Sequence, residues 1–112
     1  MKRDDSSRAP ENFSGDVNEF VAFLELERGL SRHTCAAYQR DLDQCARWLS
    51  ATRARAGWAD VSGDDLASWV HALSDAGQAS ASVARKLAAL RTFFRHLVRE
   101  RKRDEDPSAL PV

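Results

Sequence analysis

Apolar residues recur along most of this chain at intervals of three and four, the period of a helix with one buried face. The first such run is Val17, Phe20, Val21, Phe23 and Leu24, with Ser14 as the expected N-cap, Asp16 and Glu19 near the positive end of the helix dipole, and Gly29 as a left-handed stop. A second helix is predicted over 32–51, capped by Ser31. Its inward stripe reads Thr34, Tyr38, Leu42, Cys45 and Leu49, with Trp48 at the edge. Its outward face reads Arg32, His33, Ala36, Arg40, Asp43 and Arg47. A loop over 52–61 follows, with Trp58 and Val61 as anchors against the core. Ser62-Gly63-Asp64-Asp65 spells a capping box with Asp in the place of Glu. It opens a third helix with Leu66, Trp69, Val70 and Leu73 inward and Gly77 as its stop. The fourth is predicted over 81–102 behind a Ser80 cap, with Val83, Leu87, Leu90, Phe94, Leu97 and Val98 inward. Arg85, Thr92, Arg95, His96 and Arg99 fall on its other face, and Asp106-Pro107 closes it, because a residue before proline avoids helix. No period-two pattern survives. The expectation is all-α: a single four-helix domain over 14–106, behind a flexible leader over 1–13 and ahead of a linker over 107–112 that leads to a further domain.

Composition narrows this little. The chain has 112 residues, enough for one domain, and 43% hydrophobic residues, too many for a disordered chain. No apolar run approaches the roughly 20 residues of a membrane span, and Met1-Lys2-Arg3-Asp4-Asp5 leads into no signal-peptide core. Cys35 and Cys45, ten helical residues and about 15 Å apart, do not bridge. Both are expected on or beside the apolar stripe as small hydrophobes, in a reducing, cytoplasmic compartment.

Charge changes the picture more. The net charge is zero, but it is segregated. Residues 31–55 carry +3 and residues 78–103 carry +7, whereas 1–30, 56–77 and 104–112 carry −3, −4 and −3. The cations therefore gather on the second and fourth helices.

Two stretches on those helices resemble a known family. Glu27-Arg28-Gly29-Leu30-Ser31, Thr34, and Ala37-Tyr38-Gln39-Arg40-Asp41-Leu42 are similar to the N-terminal core-binding, SAM-like domain of tyrosine site-specific recombinases, with the Xer-type and phage-integrase members nearest. Gly77, Ser80 and the run from Ser82 to Phe94 resemble the fourth helix of that domain, and Asp106-Pro107-Ser108 resembles its exit. The resemblance implies one half of a clamp on double-stranded DNA, with helices two and four crossing at the major groove and a catalytic domain on the opposite face. The parent enzyme would cut and rejoin DNA through a 3′-phosphotyrosyl intermediate, with no metal or other cofactor. Its partners would be the duplex and other recombinase protomers, four on two sites, a paralogous partner among the options, and no membrane.

Carried over by position, the contact residues would be Ser31, Thr34, Arg40, Ser82 and Arg85, and Lys86 and Arg99 are added as further DNA-binding candidates on the fourth helix. Each also has a plainer reading. Ser31 and Ser82 serve equally as helix-start residues, and Thr34 as packing. Arg40 and Arg85 serve as solvated surface. Lys86 and Arg91 flank the stripe and serve as core cover. Arg99, Arg101, Lys102 and Arg103 suit a helix C-terminus. Tyr38, the one tyrosine, sits on the apolar stripe and is not expected to be a nucleophile. His96-Leu97-Val98-Arg99 spells the family's H-x-x-R, but the family follows that motif with a tyrosine and none follows here, so the match is read as coincidence. His33, His71 and His96 lack partners at ligand spacing, so no metal and no catalytic residue is expected in this stretch. Helix 3, with Asp64, Asp65 and Asp75, and helix 1 are left as candidate protein-contact faces. A helical protein-interaction module, with basic faces that dock acidic partners, is the alternative reading.

Overall fold

The computed structural model describes residues 9–108. Four α-helices form among them: α1 (Glu11–Leu26), α2 (Arg32–Thr52), α3 (Gly63–Asp75) and α4 (Ser80–Arg99), with a single 3-10 turn at Trp58–Asp60. No described residue is in a strand, and the all-α expectation holds. Residues 1–8 of the expected leader and 109–112 of the expected linker lie outside the described residues.

α1 buries Phe13, Val17, Phe20 and Leu24, one residue per turn on a single face. It starts at Glu11 behind Pro10, ahead of the expected Ser14 cap, and has no side-chain cap. The Ser14 hydroxyl instead donates to the Glu11 carbonyl at 3.2 Å. Phe13 accounts for the early start. Its ring meets Trp58 edge-on at 5.0 Å, and Trp58 Nε1 donates to its carbonyl at 3.0 Å. That contact spans 45 residues, so a single apolar residue among polar neighbours carried no periodic signal. At the other end Gly29 adopts φ +64, and Leu30 N–H closes on the Leu24 carbonyl at 3.1 Å, as expected of a glycine stop.

The core runs through all four helices. Trp58 lies at its centre, in edge contact with Phe13, Phe93 and Phe94, and Val61 beside it is also buried. Both loop anchors are thus in place. In α3 the capping box forms as spelled: Ser62 Oγ accepts from Asp65 N–H and Asp65 accepts from Ser62 N–H. Val70 is only half-buried. In α2 the stripe is shifted. Thr34 is exposed and Cys35 takes the inward place, while Asp43, expected outward, is buried in the groove that α1 makes along α2. In α4, Ser80 is the first helical residue and not a side-chain cap, since Ala79 holds that position. Phe93 and His96 are buried where Leu87 and Val98 are half-buried, because α1 covers a broader face of α4 than the stripe implied.

Two helix ends rest on left-handed residues other than glycine, a conformation that costs roughly 1–2 kcal/mol. After α2, Ala54 adopts φ +55 and Arg55 N–H closes on the Leu49 carbonyl at 3.1 Å. After α4, Arg101 adopts φ +62 and Lys102 N–H closes on the Leu97 carbonyl at 2.8 Å. This second turn ends α4 well before Asp106-Pro107, which correctly marks a non-helical exit but not the helix end. In both turns the flanking cations hold the strained residue. Arg53 and Arg55 bind Asp65, Lys102 binds Asp16 and Glu19, and Arg103 binds the Trp58 and Val61 carbonyls.

Asp65 thereby becomes a structural hub and not the surface acid expected on helix 3. Burial opposes its charge, but hydrogen bonds from Arg55, Ser62 and Arg53 outweigh it and hold the carboxyl well below the usual range. A carboxyl depressed on folding stabilises above its unfolded value of about 3.9 and loses that contribution as pH falls. Both arginines are about a third exposed, which reduces the gain to on the order of 2 kcal/mol. Asp65→Asn should therefore melt lower than the parent chain above about pH 5, and the gap should close towards about pH 2. A gap independent of pH in thermal melts would refute the ionic part of this role.

Candidate nucleic-acid interface

The N-terminal half of α2 is built from its cap. Ser31 Oγ accepts Thr34 N–H at 3.1 Å and donates to Thr34 Oγ1 at the same distance, so both hydroxyls sit together on an exposed helix start. Ser31 therefore caps, and Thr34 does not pack inward. Arg32, His33, Ala36 and Arg40 are exposed on this half. Arg32 and Arg40 have no ion-pair or hydrogen-bond partner among the described residues.

α4 meets α2 through a charged junction that the pattern of apolar residues did not reveal. Asp41, next to Arg40, is buried. Its carboxylate accepts Arg85 Nε and Nη2, both at 2.9 Å, and Lys86 Nζ at 3.0 Å. Lys86 also donates to Gln44 Oε1 at 2.8 Å. Lys86 is thus inside the junction, the core-cover side of its two readings, whereas Arg85 keeps 48% of its side chain exposed. Asp41 raises the Arg85 pKa, which leaves the guanidinium charged. Ser82, one turn earlier on α4, is half-buried. The sequence signs of this junction were Lys86 beside the apolar stripe of α4 and an Asp on a face of α2 otherwise read as neither stripe nor surface. It became legible only when α4 covered it.

Arg91 and Arg95 continue the exposed side of α4 without partners among the described residues. Arg99, 14 residues and about 21 Å beyond Arg85, is also exposed, with its guanidinium over the Phe23 ring at 5.1 Å. Two further members of the C-terminal basic run are used inside the fold, Lys102 on Asp16 and Glu19, and Arg103 on two carbonyls and over Phe94 at 5.5 Å, whereas Arg101 is exposed.

The other side chains singled out in the sequence take packing places. His96 is buried against Phe20 and Phe23, and the exposed Arg99 lies over the Phe23 ring, so both members of the H-x-x-R spelling pack on α1. Burial lowers the His96 pKa, and its Nδ1 has no partner among the described residues. Tyr38 is half-buried and stacks on Phe20 at 6.5 Å. Both cysteines are buried, and burial pushes the Cys45 thiol well up, which suits packing and not nucleophilic attack. No group of three ligating side chains is close enough to hold a metal among the described residues. No described helix is long and apolar enough to cross a membrane.

The model of the phage integrase N-terminal SAM-like domain aligns with residues 17–101, from the second turn of α1 to the turn after α4. The chain belongs to that family. Among curated relatives it is 33% identical over 92 residues to tyrosine recombinase XerD of Oceanobacillus iheyensis, which is 82% of this chain and 31% of that protein. It is 38% identical over 94 residues to tyrosine recombinase XerD of Proteus mirabilis, 84% of this chain and 29% of the relative. With tyrosine recombinase XerC of Herpetosiphon aurantiacus it shares 38% over 81 residues, 72% and 26% of the two chains. The chain spans about three-tenths of the length of these relatives. The integrase SAM-like domain and the Xer tyrosine recombinases are thus the setting in which its surface is to be understood.

Proposed function

We propose that this chain is the DNA-binding, core-binding domain of a Xer-like tyrosine recombinase, and that it grips one face of the duplex with α2 and α4. One observation carries the reading. Arg32, Arg40, Arg91 and Arg95 stand exposed on these two helices without partners among the described residues, whereas Arg53, Arg55, Lys102 and Arg103 elsewhere are tied into the fold. Unpartnered cations on two adjoining helices neutralise phosphates and release counterions, the part of DNA affinity that does not depend on sequence. Ser31 and Thr34 add hydroxyls and the free N–H groups of a helix start, which suit phosphate oxygens. Ser82 and Arg85 take the equivalent place on α4. Arg99, far along the same helix, is placed for backbone and not for bases. Lys86 acts from within, through Asp41. Breaking and rejoining of DNA would belong to a catalytic domain of the parent recombinase, and the assembled partners would be duplex DNA and further protomers.

Binding of fluorescent duplex across a salt series tests this. The affinity should fall steeply with salt, with a log–log slope of roughly −3 to −4 if about four phosphates are neutralised. Arg40→Ala should flatten that slope by about one unit on every sequence. A flat salt response would leave the basic faces to an acidic protein partner instead.

A further inference from the structure

We propose that Asp41 is a positioning residue for DNA recognition: it clamps Arg85 by one edge so that the other edge is presented outward in a fixed orientation. The proposal rests on the DNA-binding reading of α2 and α4. A guanidinium has five N–H donors in one plane. Asp41 takes the Nε donor and one Nη2 donor, both at 2.9 Å. The second Nη2 donor and both Nη1 donors have no partner among the described residues. These form a second fork, of the shape that meets guanine O6 and N7 or two phosphate oxygens. An arginine on open surface samples many rotamers and loses that freedom on binding. Here the loss occurs on folding, because Asp41 is 3% exposed and belongs to a different helix 44 residues away.

A carboxylate close to DNA would ordinarily repel phosphates. Lys86 answers that difficulty. Its ammonium, with 9% of the side chain exposed, lies 3.0 Å from the same carboxylate and is itself fixed by Gln44. Asp41 thus meets two cations, and the junction as a whole keeps one positive charge. That charge sits on Arg85, the member half open to solvent.

The two possible roles of Asp41 predict opposite signs. If it is only an acid near the interface, Asp41→Asn removes a repulsion and tightens binding on every duplex. If it positions Arg85, Asp41→Asn opposes an amide N–H₂ to a guanidinium donor, frees the arginine, and lowers the preference for the right sequence. The experiment uses the 112-residue chain and duplexes enriched from a randomised library, each paired with a scrambled duplex. Asp41→Asn should reduce the preference for enriched over scrambled duplex about tenfold, with scrambled affinity unchanged or higher. Arg85→Lys keeps the charge but loses the second fork, so it should lose a similar preference with the salt slope intact. Combined, the two substitutions should cost little more than either alone. If Asp41→Asn does not fold, Arg85→Lys decides: retained preference overturns the proposal, and lost preference at constant slope supports it. Equal tightening on both duplexes by Asp41→Asn, or losses that add in the double variant, would overturn it while leaving DNA binding in place. No salt-dependent binding by the parent chain would overturn both readings.

Discussion

Replacing Trp58 with alanine should destabilise this domain by about 3–5 kcal/mol, the largest single loss expected from any side chain outside the helices. Trp58 is 2% exposed, and its ring touches Phe13, Phe93 and Phe94, joining the start of α1 to the middle of α4. Alanine there leaves a cavity between elements that no backbone hydrogen bond joins, and it removes the hydrogen bond that Trp58 Nε1 donates to the Phe13 carbonyl. The Trp58 carbonyl also receives Arg103 at 2.8 Å, so the turn after α4 should loosen as well. For a domain of about 100 residues the melting temperature should fall on the order of 20 °C. Trp48, half-buried at the edge of α2, is the matched control, and Trp48→Ala should cost clearly less. Thermal melts followed by circular dichroism measure both. A Trp58→Ala loss below about 1 kcal/mol would mean the loop is not part of the core.

The junction of α2 and α4 should respond asymmetrically. Asp41→Ala strands Lys86, a buried ammonium left with Gln44 alone, and should cost about 3 kcal/mol. Lys86→Met should cost much less, because Asp41 keeps Arg85 and the methionine fills the same volume with apolar atoms. The double variant Asp41→Ala with Lys86→Met should recover much of the loss, since no buried charge then lacks a partner. Arg85 contributes little to this balance because its half-exposed guanidinium can turn to water. Urea titration with an unchanged slope checks the order of the three variants. Equal costs for Asp41→Ala and Lys86→Met would show that the junction is held by packing and not by charge.

The candidate interface was legible in uneven parts. The gathering of cations on the second and fourth helices came directly from counting charges between breakers, and Arg32, Arg40 and Arg95 are exposed as their positions implied, whereas Arg91, read as core cover beside the stripe, is exposed as well. The C-terminal basic run was misleading in the same count. Lys102 and Arg103 look identical in sequence to free cations, yet each reaches across to α1 or to the loop before α3. Asp65 and Asp41 show the converse. Each was one acid among several, and only the approach of Arg53 and Arg55, or of Arg85 and Lys86, makes it a buried hub.

Sequence alone determined what depends on neighbours along the chain. The helical period, the Ser31 and Ser62 caps and the glycine stops at Gly29 and Gly77 are local, because a capping hydroxyl or a positive φ acts within three or four residues. The family resemblance also belongs here, since it rests on short motifs in order. Tertiary structure alone decided the rest: the early start of α1 on Phe13, the burial of Asp43 and His96, the left-handed ends at Ala54 and Arg101, and the choice of which cations stay free. Each of these depends on a partner from another element, over separations of up to 45 residues, and no periodicity along one helix records which neighbour will cover which face.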